Sequence, residues 1–210
     1  MKPSTLTLWA ALALSTLTAP VPSTAATAPP QLTAKVGEPA PDFTLEAVVG
    51  TAPGKEFEQI ALKEYRGKWV VLFFYPMDFT FVCPTEIRGF NDALPEFEKL
   101  GAVVFGASTD SKFSHLAWIR RGDLGSLRYP LLSDLKKETA WKYGALDENQ
   151  GVALRALYII DPNGVLQYQV VHNLDVGRSV EETLRVLEAL QTGSLCPLGW
   201  KPGQKTLGKP

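Results

Sequence analysis

Cys83 and Cys196 are the only two cysteines in the 210-residue chain, and their surroundings differ. Cys83 comes shortly after the apolar run Trp69-Val70-Val71-Leu72-Phe73-Phe74-Tyr75, and Pro84 follows it directly. Proline suits the opening turn of a helix, because the N–H it lacks would be unpaired there anyway. This reading puts the Cys83 sulfur at a helix N-terminus, where unpaired backbone N–H groups and the helix dipole favour an anion. A thiol so placed should lose its proton more readily than a free cysteine at about 8.5, and the thiolate is the nucleophile. Glu86, three residues on, has the spacing to reach back and cap the same turn, and it could also orient an arginine.

One chemistry open to such a thiolate is peroxide reduction. Sulfur must be lined up with one oxygen of the O–O bond while donors stabilise the charge leaving on the other. Thr80, three residues before Cys83, offers a hydroxyl, and Arg155 offers a permanent charge with several N–H donors. Arg155 lies between Leu154 and Ala156, where a guanidinium is costly to bury without a partner. A thiolate with bound peroxide would supply one, and so would an acidic residue on a neighbouring element. Packing alone is the competing reading for Cys83, since cysteine is among the most often buried residue types. Thr80 could equally serve only as a turn cap.

The elements that must position these residues alternate along the chain. Trp69 to Tyr75, Ala102 to Ala107 and Ala153 to Ile160 read as strands buried on both faces. Helical patterns fall at about Pro84 to Phe97, Ser111 to Ile119 and Lys136 to Tyr143, which gives an α/β layer fold. Asp161-Pro162-Asn163-Gly164 reads as a tight turn leading into a strand from Val165 to His172. Ser179-Val180-Glu181-Glu182 has capping-box spacing ahead of Leu184, Leu187 and Leu190, the start of a C-terminal core helix. The Gly-, Pro- and Lys-rich residues 193–210 have no periodicity and read as an extended or mobile tail. His115 and Trp118 read as packing or interface residues rather than catalysts.

Pro76-Met77-Asp78-Phe79-Thr80-Phe81-Val82-Cys83-Pro84-Thr85-Glu86-Ile87 resembles the active-site segment of the typical two-cysteine peroxiredoxins. His115-Leu116-Ala117-Trp118, the stretch Val152 to Asp161 around Arg155, Val176 to Leu184, and Cys196-Pro197-Leu198-Gly199-Trp200-Lys201-Pro202-Gly203 agree with it. The resemblance implies a thioredoxin-like fold, with a central mixed β-sheet flanked by helices. It implies Cys83 as peroxidatic cysteine, Pro76 shielding it, Thr80 and Arg155 binding peroxide, and Cys196 as resolving cysteine. Glu86 and Arg178 look like the ion-pair network that positions Arg155. Members pair head to tail as homodimers, often assembled further into decamers, so the resemblance implies a Cys83–Cys196 bridge between chains. The sequence leaves an intrachain bridge open as well. Hydroperoxides would be the substrate and a thioredoxin-like dithiol the reductant, with no metal, flavin or haem required. Ala156 stands where the family usually has Gly.

Two rival chemistries fit less well. A thioredoxin-like disulfide exchanger needs a second cysteine close by, and Cys83-Pro84-Thr85-Glu86 has Glu in that place. A zinc site would have to be built from two cysteines and from His115 and His172, which lack ligand spacing. A redox chaperone or holdase assembly on the same fold is the alternative from another functional class.

The bulk composition fits an ordinary globular protein, 45% hydrophobic and 20% charged. A net charge of -1 offers no overall field for nucleic acid or anionic lipid. Residues 1–25 have a secretory-leader pattern: Lys2, then an apolar stretch through Leu14 too short to span a bilayer, then Ser23-Thr24-Ala25 as a cleavage site. The expected organisation is a leader at 1–25, a flexible arm at 26–35, one peroxidase domain at 36–192, and a tail at 193–210 carrying Cys196. The leader implies export, with the bacterial periplasm the expected compartment and the cytoplasm the alternative.

Overall fold

The computed structural model describes residues 34–209. The leader read at residues 1–25 and most of the arm read at 26–35 lie outside the described residues. In chain order the elements are β1 (Thr44–Val48), β2 (Phe57–Ala61), a 3-10 turn (Leu62–Tyr65), β3 (Trp69–Phe74), α1 (Cys83–Asp92) and α2 (Leu94–Lys99). Next come β4 (Ala102–Ser108), α3 (Lys112–Arg121), β5 (Leu131–Ser133), α4 (Glu138–Lys142), β6 (Leu146–Asp147) and β7 (Val152–Ala153). The last three are β8 (Arg155–Ile160), β9 (Leu166–His172) and α5 (Val180–Gln191).

Seven of the strands form one mixed sheet in the order β2-β1-β5-β4-β3-β8-β9. β4 runs parallel to both β3 and β5, and the remaining neighbours are antiparallel. Side chains alternate across a strand, so β3 feeds two cores. Val70, Leu72 and Phe74 join Phe43, Phe105 and Tyr158 on one face. Val71, Phe73 and Tyr75 face Ile87 and Phe90 of α1, Phe97 of α2, Trp118 of α3 and Leu187 of α5 on the other. Both faces are therefore covered, which is why β3 reads as an unbroken apolar run.

Several expected elements change shape. The single helix expected over Pro84 to Phe97 is two helices divided at Ala93, whose backbone (φ −86°, ψ 5°) is not helical. Pro95 explains the break, because a proline inside a continuous helix removes one hydrogen bond and clashes with an earlier carbonyl. The strand expected over Ala153 to Ile160 is interrupted at Leu154, whose N–H turns to Ala145 O at 2.7 Å, and β8 starts at Arg155. The helix expected from Lys136 begins only at Glu138, since Lys137 is left-handed (φ 63°).

Ser179 caps α5 as expected by accepting from the Glu182 N–H, but the Glu182 carboxylate pairs with Arg185 instead of closing the capping box. The tail is folded back rather than extended: Leu195 N–H donates to Gly208 O and Leu207 N–H to Leu195 O, both at 2.8 Å, and Trp200 is buried. Ala34, within the stretch read as an arm, donates its N–H to Lys142 O at 3.1 Å.

Candidate active site

Cys83 is the first residue of α1, and its side chain is fully buried in the core between that helix and the sheet. Phe90, two turns along, stacks on Phe73 of β3 with ring centroids 4.5 Å apart, which presses the helix onto the strand. The other end of α1 is tied to the loop before β5. Tyr129 Oη donates to Ile87 O (2.8 Å), Asn91 Nδ2 to Ser126 O (3.1 Å), and Arg128 N–H to Asn91 Oδ1 (2.8 Å).

Arg155 opens β8 with its side chain on the α1 face, and its NH1 lies 3.5 Å from Cys83 Sγ. The same NH1 donates to Glu86 Oε2 at 2.6 Å, and Nε donates to Leu174 O at 2.5 Å. Arg178, in the loop before α5, completes the clamp. Its backbone N–H and Nε reach Glu86 Oε1 at 2.8 and 2.7 Å, and its NH2 reaches Oε2 at 2.9 Å. All three charged side chains are buried, at 5% exposure for Glu86, 4% for Arg155 and 8% for Arg178. Charges so deep in the fold are tolerated because every carboxylate oxygen and most guanidinium N–H groups have partners. Burial, the largest influence on Glu86, pushes its carboxyl up, but the hydrogen bonds and charge of Arg178 together with the charge of Arg155 outweigh it. The net shift is downward, so Glu86 stays ionised.

Arg178 also shapes the backbone under the site. The β3–β8 ladder has its last pair at Phe73 and Leu157. The carbonyls of the next residues, Phe74 and Ala156, both accept from Arg178 NH1, at 2.7 and 2.6 Å. A guanidinium thus takes over where strand pairing stops, and its fork joins two strand ends to the helix carrying Cys83. Ala156 contributes its carbonyl here, while its methyl group lies in the core on the other face.

The structure brings together Cys83, Glu86, Arg155 and Arg178. Glu86 is turned to the arginines and does not cap its own helix, whose first turn has no side-chain cap. Thr80 is half-buried in the loop before α1, with its hydroxyl donating to Met77 O at 2.9 Å, which leaves its lone pairs to accept. Pro76 is half-buried at the start of that loop. Cys196 is elsewhere: its Sγ has Thr192 Oγ1, Ser194 O and Ala189 O as neighbours at 3.6 to 3.8 Å, and both cysteines are free thiols.

Two contributors escape sequence reasoning. Leu174 acts only through its carbonyl, which no side-chain pattern reveals. Asp78, flanked by exposed Met77 and Phe79, is buried together with His115. A carboxylate within a mostly apolar segment was its one visible signal.

A buried thiol at the head of a helix, beside an arginine fixed by a second arginine and a glutamate, is the constellation of a thiol-based peroxidase. Comparison with known proteins agrees. A model of the AhpC/TSA family matches residues 36–169. Peroxiredoxin-2 of Rattus norvegicus is 53% identical over 182 residues, covering 83% of this chain and 90% of the relative. The reduced 2-Cys peroxiredoxin of Plasmodium vivax superposes with a TM-score of 0.76 at 40% identity, over 84% of this chain and 93% of that one. AhpC of Mycobacterium bovis superposes with a TM-score of 0.73 at 42% identity, over 80% of this chain and 99% of that one. The chain belongs to the AhpC/TSA family as a typical two-cysteine peroxiredoxin with a thioredoxin-like fold, and its activity is that of a thiol peroxidase.

Proposed function

We propose that Cys83 is the peroxidatic cysteine of this enzyme and Cys196 the resolving one. The observation that carries the reading is the Cys83 sulfur at the start of α1, 3.5 Å from a guanidinium that Glu86 and Leu174 hold in place. The Cys83 thiolate attacks one oxygen of a hydroperoxide. An S–O bond forms, the O–O bond breaks, sulfur loses two electrons, and the leaving oxygen takes up a proton as water or alcohol. Arg155 stabilises the charge on that leaving oxygen, and Thr80 accepts a hydrogen bond from the peroxide. The Cys196 thiol then displaces water from the Cys83 sulfenic acid to give a disulfide, which a thioredoxin-like dithiol reduces in turn.

The bridge forms between two chains of a homodimer. Separate surroundings for the two sulfurs within one chain, together with the resemblance, support this pairing. Its test is non-reducing electrophoresis of peroxide-treated protein. A dimer-sized band that disappears in Cys196→Ser is expected, and a monomer with an internal bridge would refute the pairing.

The enzyme is exported, on the strength of the leader pattern at residues 1–25. Among the described residues no helix is long and apolar enough to cross a membrane. The mass of protein recovered from the periplasm of an expressing bacterium should correspond to a chain starting at Ala26; full-length protein confined to the cytoplasm would contradict export.

A further inference from the structure

A cavity of about 520 Å³ opens where the flank of β1 and the end of β5 meet the first turns of α3 and α4, and none of Cys83, Glu86, Arg155 or Arg178 lines it. The two helices leave the sheet on opposite faces, Trp118 of α3 packing in one core and Ala140 of α4 in the other. A crevice is left between them at the carboxyl end of β5, the kind of place where α/β sheets take ligands. Phe43 is buried in its wall, whereas Phe113 and Leu135 on the rim are 65% and 63% exposed. Large apolar side chains left open beside a cavity mark a contact site.

The charged lining nearly cancels. Three lysines stand against four carboxylates, and Lys112 and Glu46 are already paired with each other. Such a crevice has no field to hold a highly charged ligand, and an uncharged segment with an apolar anchor suits it better.

The chain brings a segment of that kind to the edge of the cavity. Ala34 packs on the core cluster that contains Phe43 and Tyr143, and its N–H is bound to the carbonyl of Lys142, a residue that lines the cavity. In a chain starting at Ala26, eight residues precede Ala34: Ala26-Thr27-Ala28-Pro29-Pro30-Gln31-Leu32-Thr33. They carry no charged side chain, and Leu32 is the one large aliphatic side chain among them. Side chains of an extended chain alternate, so Leu32 and Pro30 fall on the same side as Ala34, the side packed on the core. Two residues span at most roughly 7 Å and eight roughly 26 Å, so Leu32 is within reach of Phe43 and the arm is long enough to cross the opening. The proline pair favours extended backbone in advance, which reduces the entropy lost on docking.

We infer that this crevice is the docking site of the chain's own arm, residues 26–33. Leu32 seats against Phe43 and Leu135, Pro29 and Pro30 lead across toward Phe113, and the α-amino group of Ala26 offsets the surplus carboxylate. The part played by the α-amino group rests on the reading of residues 1–25 as a removed leader; the seating of Leu32 does not. The arm covers the exposed rim and ties the start of the chain across β1 and α4, so the crevice is closed to outside ligands.

Amide hydrogen exchange read by mass spectrometry tests this on protein made directly as residues 26–210, so the outcome does not depend on export or cleavage. In Leu32→Asp, exchange over residues 42–46 and 135–142 is expected to accelerate about tenfold, the scale of returning one partly buried leucine to water. Segments around Cys83 and Cys196 should keep their rates. A synthetic peptide of residues 26–33 added to a chain that starts at Ala34 should slow exchange over the same residues, and the peptide carrying Leu32→Asp should not. Exchange in Leu32→Asp within about twofold of the parent would overturn the proposal. Protection that survives Leu32→Asp and grows with protein concentration would also overturn it, by assigning the crevice to a second copy. Acceleration spread evenly over the whole sheet would do the same, by marking general loosening.

Discussion

Glu86 holds two arginines with one carboxylate, and the distances show how the work is divided. Arg178 takes both oxygens and the backbone of two strand ends, whereas Arg155 takes one oxygen and keeps NH1 near the sulfur. Removing the Glu86 charge leaves two buried guanidinium groups short of a counter-charge, so Glu86→Gln should lower stability at pH 7 by about 3 kcal/mol. The pH dependence follows from the downward shift of the carboxyl in the fold. A group with a depressed folded pKa contributes fully above its unfolded value, about 4.3 for glutamate. That contribution disappears as pH falls through the lower folded value. Urea midpoints of wild type and Glu86→Gln should accordingly lie well apart at pH 7 and converge below about pH 4. A gap that persists unchanged into acid would show that Glu86 acts by shape and not by charge.

Much of the site was legible in the sequence, because the residue types name their chemistry. Cys83 before Pro84 announces a helix start, and an arginine set among Leu154, Ala156 and Leu157 announces that a partner must exist. The identity of that partner was harder to read, since Glu86 at capping spacing has an equally sound local role. Tertiary geometry decided for the arginines, which bring two full charges where the helix end offers only partial ones.

At the scale of elements, sequence patterns located strands and helices well and their ends poorly. β3 and β4 fall where their apolar runs lie, since both faces of a central strand demand it. The breaks at Ala93 and Leu154 depend on a proline and on a hydrogen bond to Ala145, and a periodicity argument passes over both. The tail misled because Gly, Pro and Lys carry no period, while one buried tryptophan and two backbone hydrogen bonds suffice to fold it back.

Gly106 of β4 gives an element-level test of how the site is supported. A Cβ built there would meet Leu131 Cδ2 at 2.9 Å and Phe73 Cζ at 3.0 Å, and Phe73 is the ring on which α1 stacks through Phe90. Gly106→Ala should therefore destabilise the fold by about 1–3 kcal/mol through overpacking. Thermal unfolding measures this as a lower midpoint. A midpoint equal to or above that of wild type would mean that the α1–sheet contact is looser than the stacking implies.

For the whole molecule, the sheet acts as a frame that gathers residues distant in sequence around one sulfur. β3 leads into the loop that precedes Cys83, β8 begins with Arg155, and the turn after β9 brings in Leu174 and Arg178. Three neighbouring strands thus end at the head of α1, and their register fixes the distances there. Cys196 lies outside this frame on the folded tail, so the proposed cycle divides into a rigid step at Cys83 and a second step that must bring the two thiols together. The account predicts fast peroxide chemistry in the rigid step alone, even with the second cysteine removed.

The most direct test is the rate at which reduced Cys196→Ser protein reacts with hydrogen peroxide, followed by stopped-flow fluorescence, with the product identified by a sulfenic-acid trap. The trapped adduct should lie on Cys83, formed orders of magnitude faster than free cysteine reacts, and Arg155→Met in the same background should slow it about 100-fold or more. A rate no higher than that of free cysteine, or one indifferent to Arg155, would contradict the claim that this clamped arginine and buried sulfur are the reacting centre.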